Sequence, residues 1–331
     1  PTIENVQHGV AEFKAYGADC IVAIGGGSSM DTSKAIGIII NNPEFEDVRS
    51  LEGVAPTKNK CVPIIAVPTT AGTAAEVTIN YVVTDVERKR KFVCVDAHDI
   101  PVVAVVDPDM MSTMPASLTA ATGMDALTHA IEAYVSTVAS PYTDALAMKA
   151  IEMVTAYLPS SYNGNRESRA AMHDAQCLAG MAFSNALLGI VHSMAHKTGA
   201  AFHEGSMKDR HLPHGCANAI YLPFVIKYNA HDGRAAERYA DIARMLGLPG
   251  NSNKGLIENL CALIDKMNDE LNIPHTLKEF GVDEAEFNAK VDEIAVNAVG
   301  DACTGSNPRT IDPATMAKLF KCTYYGTEVD F

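Results

Sequence analysis

Asp125 and His129 stand four positions apart in a stretch rich in Ala, Leu and Thr. In a helix that spacing puts both side chains on one face. His192 and His196 repeat the spacing, and His214 follows in Pro213-His214-Gly215. One carboxylate with several imidazoles suits a divalent metal such as iron or zinc. Seven of the eleven histidines fall between residues 129 and 214, which places the candidate ligands in one region of the chain. Each element also has a plainer reading: an Asp–His pair on a helix surface, a His pair on a helix, a turn. A bound cation would act as a Lewis acid on an alcohol oxygen and lower its pKa. The carbon bearing that oxygen could then exchange hydride with a nicotinamide. A histidine not required as a ligand could relay the proton.

A second chemistry lies earlier in the chain. The apolar run 21–24 leads into Gly25-Gly26-Gly27-Ser28, with a helix expected from Asp31. Glycines without a Cβ let backbone N–H groups approach a phosphate, and a helix N-terminus adds partial positive charge. The pattern is not G-x-G-x-x-G, because Met30 stands at the third glycine position. Another polar turn, Thr69-Thr70-Ala71-Gly72-Thr73, follows the apolar run 62–67 and Pro68. Hydroxyls and N–H groups at the carboxyl ends of strands are where open α/β sheets bind ligands. A threonine helix cap is the plainer reading of the second turn.

The elements that must hold these residues fall into two kinds. Runs 19–24, 62–67 and 102–107 are short and nearly continuously apolar, as in parallel strands buried on both faces. Residues 31–40 have helical character, and 79–84 with 91–95 read as a hairpin. Stretches 116–134, 142–158, 168–187 and 234–246 are long and rich in Ala, Met and Leu, which reads as helix without strand. The expected organisation is an α/β domain over 1–113 and an all-helical domain over 114–331.

Composition narrows the class. A chain of 331 residues suggests two domains. Its 47% hydrophobic and 20% charged content argues against disorder. A net charge of −14 argues against a general nucleic-acid binder. No apolar run approaches the ~18 residues of a membrane span, and no signal peptide pattern opens the sequence. The cluster Arg88-Lys89-Arg90-Lys91 reads as a solvated hairpin tip, or as the source of one phosphate contact. Eight scattered cysteines with no C-x-x-C pair read as reduced thiols of a cytoplasmic protein. Cys20 and Cys94 lie in apolar runs, where cysteine acts as a small hydrophobe.

The motifs Gly25-Gly26-Gly27-Ser28-x-x-Asp31, 68–78 (PTTAGTAAEVT), 123–132 (GMDALTHAIE), His192-x-x-x-His196 and 213–219 (PHGCANA) together resemble the iron-containing (group III) alcohol dehydrogenases. The resemblance runs in order over nearly the whole chain. It implies an α/β dinucleotide-binding domain followed by an all-α metal-binding domain. It implies iron(II), with zinc as the alternative, at Asp125, His129, His192 and His214, and it places His196 beside nicotinamide and substrate. NAD(H) is the implied cofactor, lined by Gly26, Gly27, Ser28, Asp31, Thr69, Thr70, Thr73, Thr78, Asn80, Lys91 and Met111. Lys91 thereby becomes the one member of the basic cluster assigned a cofactor contact. Segments 41–45, 48–53 and 90–96 look closest to family members that reduce lactaldehyde to 1,2-propanediol. Members acting on 1,3-propanediol or on simple primary alcohols are the alternatives, and a non-catalytic metal-binding polypeptide is the alternative of another class. The implied partners are a small aldehyde or alcohol and further copies of the chain, as a homodimer or larger, with no nucleic acid and no membrane. Family members usually carry a further segment ahead of the position matching Pro1, which supplies the first strands, so the α/β domain is expected to be N-terminally incomplete. The stretch between His196 and His214 is longer than the family pattern, around residues 204–211, and brings His203 and His211 near the site.

Overall fold

In the computed structural model, which describes residues 1–88, 90–202 and 212–331, the chain divides into two units, Pro1–Met114 and Pro115–Phe331. The first unit is α/β. Helix α1 (Ile3–Tyr16) starts where the Thr2 hydroxyl accepts the Asn5 N–H and ends at Gly17 in the left-handed region. Strand β1 (Ile21–Gly25), helix α2 (Gly27–Asn41), strand β2 (Ile64–Pro68), strands β3 (Asn80–Asp85) and β4 (Arg90–Val95), and the short strand β5 (Val103–Ala104) follow. The parallel sheet runs β1-β2-β5, with Ile21 opposite Ile64 and Gly25 opposite Pro68, while β3 and β4 form an antiparallel hairpin. The core gathers Met30, Ile38 and Ile39 of α2 with Ala23, Ile64, Ala66, Tyr81 and Val83 of the strands.

Four expectations are corrected here. The strands are buried on one face rather than two: Ala23, Ile64 and Ala66 point into the core, whereas Val22, Ile24 and Val103 are each about half exposed, because α2 and the hairpin of this unit pack on the other face. Strand β5 is shorter than the run 102–107, because Asp107 and Pro108 open a 3-10 turn at Pro108–Met111. Helix α2 begins at Gly27, four residues before Asp31, since the Gly26 carbonyl already accepts the Ser29 and Met30 N–H groups. The glycine turn is therefore itself the helix N-terminus. Cys20, lying just ahead of β1, is exposed, while Cys94 is buried as a small hydrophobe; all eight cysteines are free.

The second unit is helical throughout the described residues: α3 (Ala116–Val135), α4 (Pro141–Tyr162), α5 (Arg166–Ala186), α6 (Ile190–Ala201), α7 (His214–Asn229), α8 (Gly233–Met245), α9 (Asn253–Glu270), α10 (Leu277–Phe280), α11 (Glu284–Val299) and α12 (Pro313–Tyr325). Helix α3 is buried on all sides from Thr119 onward except Thr122, its polar Asp125, His129 and Glu132 included. It packs against α4, α5 and α7. Burial of side chains such as Met124, Leu127 and Ile131 contributes about 1.5–3 kcal/mol each, which makes α3 a rigid post for what it carries. Among the described residues no single helix is long and apolar enough to cross a membrane.

Candidate functional site

Three elements of the helical unit bring the predicted ligands together. Asp125 and His129 project from one face of α3, His192 from the first turn of α6, and His214 from the first residue of α7. Asp125 Oδ1 lies 3.5 Å from His192 Nε2, 3.6 Å from His214 Nε2 and 3.8 Å from His129 Nε2. The ligand atoms of Asp125, His192 and His214 are all within 4.8 Å of one another. His129 flanks this trio, its ring stacked between Phe183 at 4.3 Å and His192 at 4.5 Å. His196 stands apart: its Nδ1 meets Asp301 Oδ2 at 3.2 Å, and its ring stacks on His214 at 5.1 Å. His203 and His211 lie outside the described residues.

The close approach depends on Gly215. A Cβ there would fall 1.8 Å from the Ala121 carbonyl oxygen, so only glycine lets α7 come this near α3. The turn between α5 and α6 is equally specific. Leu187 takes a positive φ of 62°, and the Ser306 hydroxyl ties down the Leu188 carbonyl at 2.6 Å, aiming the start of α6 at α3.

The electrostatics favour positive charge at this point. Burial opposes a charge on Asp125, yet His129, His192 and His214 hold its carboxyl well below the usual range. Burial likewise works to lower His192, but the charges of Glu132 and Asp125 outweigh it and lift the imidazole to about 9. Burial pushes His214 below its ordinary range, although 38% of its side chain still faces solvent. The side chains of Asp125, His129 and His192 are at most 6% exposed, so His214 marks the open side of the centre. The donor set fits a divalent metal, because a carboxylate oxygen and imidazole nitrogens converge in a largely dry pocket. The Asn218 amide, four residues after His214, is aimed at the same point. Its Nδ2 lies 2.7 Å from Asp125 Oδ1, 3.2 Å from His192 Nε2 and 3.3 Å from His214 Nε2.

In the α/β unit the two polar turns lie side by side. A Cβ on Gly26 would press Thr70 Cγ2 at 3.2 Å, and one on Gly27 would press Thr73 Cγ2 at 3.1 Å. The Thr69 N–H reaches the Gly25 carbonyl at 2.9 Å. Ser28 is exposed in the first turn of α2. Asp31 accepts the Val82 N–H at 3.0 Å, and burial pushes its carboxyl up to about 6. Thr78 and Asn80 are pinned through their carbonyls, which receive the fully buried Lys34 ammonium at 2.5 and 3.0 Å. Asn80 Oδ1 is buried without a partner among the described residues, an acceptor available to a ligand. Glycines at a helix N-terminus beside hydroxyls fit a dinucleotide phosphate. Two further predicted residues lie on other elements of this unit. Met111 is buried in its 3-10 turn, and Lys91 is exposed on β4 opposite Thr84. In the basic cluster, Arg90 forks onto Glu52 at 2.6 and 2.7 Å and Arg88 reaches Asp85 at 3.8 Å, while Lys89 lies outside the described residues.

Sequence reading missed Lys34, Glu132, Asn218 and Asp301. The first three had a signal: Lys34 is three residues past Asp31, Glu132 three past His129 and Asn218 four past His214, each on the helix face of a residue already singled out. Asp301 comes from a distant segment and has none.

Two family models match the chain: the iron-containing alcohol dehydrogenase model over residues 1–108 and its C-terminal model over 119–324. The chain belongs to the iron-containing alcohol dehydrogenase family. It is 53% identical to an NADPH-dependent butanol dehydrogenase of Clostridium saccharobutylicum, over all of this chain and 83% of that protein. It is 50% identical to the lactaldehyde reductase of Escherichia coli K12, over 97% of this chain and 81% of that one. The crystal structure of a 1,3-propanediol oxidoreductase superimposes with a TM-score of 0.90 at 40% identity, over 98% of this chain and 82% of that one. As a family member it is an enzyme of the iron-type alcohol dehydrogenase class, with an α/β unit followed by an all-helical one.

Proposed function

We propose that the chain is an NAD(H)-linked alcohol dehydrogenase that reversibly reduces lactaldehyde to 1,2-propanediol, with iron(II) held by Asp125, His129, His192 and His214. The observation that carries the reading is the convergence of Asp125 Oδ1, His192 Nε2 and His214 Nε2 within 4.8 Å. When bound, the divalent ion supplies Lewis acidity at the substrate oxygen and the nicotinamide supplies hydride. The chain's residues do the rest. Asp125 provides the negative charge that retains a cation, and the exposed flank of His214 is the open side where a small aldehyde enters. His196, oriented through Nδ1 by Asp301, hands a proton to the developing alcohol. The Gly26-Gly27-Ser28 and Thr69-Thr70-Thr73 turns take the cofactor phosphates, and Asp31, Thr78 and Asn80, with Lys91 and Met111, line the remainder. The active form is a homodimer or larger homo-oligomer.

A second reading, reduction of butanal with NADPH, draws on the name of the butanol dehydrogenase relative. The test loads the chain anaerobically with Fe(II) and follows oxidation of NADH and NADPH with lactaldehyde, butanal and 3-hydroxypropanal. The first reading predicts the highest kcat/KM for lactaldehyde with NADH. A clear preference for butanal with NADPH transfers the proposal to the second, and metal binding without turnover of any aldehyde sinks both.

A further inference from the structure

Glu132 is 4% exposed, at a depth where a carboxylate is costly unless its oxygens are bonded. Both are. Oε1 accepts the Val191 N–H at 2.7 Å, one of the donors that the first turn of α6 leaves unpaired. Oε2 lies 2.5 Å from His192 Nδ1 and accepts its proton. A cation that takes the place of the Nε2 proton leaves an imidazole whose remaining proton is held on Nδ1 and whose lone pair lies on Nε2. Nε2 is the atom that faces Asp125 Oδ1 and the convergence point. Gly189 leaves the carboxylate its room: a Cβ there would lie 2.9 Å from Glu132 Oε1 and 2.8 Å from Asn307 Oδ1. One carboxylate thus sets both where α6 starts and which nitrogen of His192 is free.

We propose that Glu132 is a positioning residue of the metal centre, holding His192 in the Nδ1-protonated tautomer so that Nε2 remains open to a divalent cation. The inference rests on the metal reading given under Proposed function. Hydrogen bonding of the outer ring nitrogen fixes metal-binding histidines in general, and its loss typically weakens metal affinity by about 10–100-fold.

Two substitutions separate this role from a structural one. Glu132→Gln keeps the volume and, with its oxygen on the Val191 N–H, turns its amide donor toward His192 Nδ1. That moves the proton to Nε2, where it blocks ligation. Glu132→Ala orphans the Val191 N–H but lets His192 choose its tautomer. Zn(II) affinity by chelator competition and melting temperature are read together on the full chain. Tautomer control predicts that the Gln variant melts above the Ala variant yet binds Zn(II) no better, about 10–100-fold below wild type. A purely structural role makes affinity follow stability, so Zn(II) affinity in the Gln variant within about twofold of wild type overturns the inference. If the Gln variant does not fold, Gly189→Ala serves: crowding Oε1 should weaken Zn(II) binding, and unchanged affinity overturns the proposal. A wild-type chain that binds no Zn(II) refutes the metal reading itself, an outcome distinct from equal binding by wild type and variant.

Discussion

Gly215→Ala tests the geometry of the centre without removing any ligand. The added methyl would sit 1.8 Å from the Ala121 carbonyl oxygen, 2.6 Å from its carbon and 3.1 Å from Asp125 Cβ. Non-bonded heavy atoms are comfortable near 3.5 Å, so α7 must retreat from α3 by roughly 1.5 Å. The obstacle is helical backbone and cannot rotate away. Asp125 rides on α3 while His214 and Asn218 ride on α7. Metal–ligand distances tolerate only about 0.2 Å, so the retreat breaks the convergence. Overpacking should cost about 1–3 kcal/mol or more, which lowers the melting temperature by roughly 2–12 °C for a unit of this size. Zn(II) affinity should fall at least about tenfold, or ~1.4 kcal/mol. Thermal melting in chelator measures the first effect and chelator competition the second. Wild-type melting with wild-type affinity would refute the argument that this glycine sets the spacing.

Other outcomes follow from single groups. His196→Ala should retain the metal and lose about 10²–10⁴ in kcat, as for a proton donor; loss of metal on elemental analysis would make it a ligand instead. Asp31→Asn removes a carboxyl that burial raises from 3.8 to about 6. At 1.36 kcal/mol per unit that shift is about 3 kcal/mol, reduced to ~1–2 by the partial exposure of the residue. The raised folded-state value penalises the wild type as pH climbs from 3.8 to 6, so the gain in stability should be full above pH 6, shrink through that window and vanish below it. Denaturant titrations at several pH values check this, and an equal gain at low pH contradicts it. An iron-loaded preparation should lose activity on storage in air as Fe(II) oxidises, whereas full activity after prolonged exposure points to zinc.

Much of the site was legible because helical periodicity is local. Asp125 with His129, and His192 with His196, declare a shared face by spacing alone. What spacing does not carry is which face meets which. Only the folded chain brings Asp301 to His196 and turns Glu132 toward His192 rather than toward solvent. Strand runs announced the sheet, but the half-exposed Val22 and Ile24 show that an apolar run fixes strand character and not the covering of both faces. Helix α9 carries a readable stripe, with Leu256, Leu260, Ile264 and Met267 buried at three- and four-residue spacing. The start of α2 is hidden in the sequence because glycine argues against helix locally, while the capping carbonyl of Gly26 overrides that preference.

In the proposed site Asp125, His129, His192 and His214 hold one metal ion together. Elemental analysis of the anaerobically loaded chain, gel-filtered and compared with Asp125→Ala and His192→Ala, tests it most directly. A single tightly held divalent ion is expected in wild type and none in either folded variant. A folded wild-type chain that emerges without metal, or variants that keep it, would contradict it.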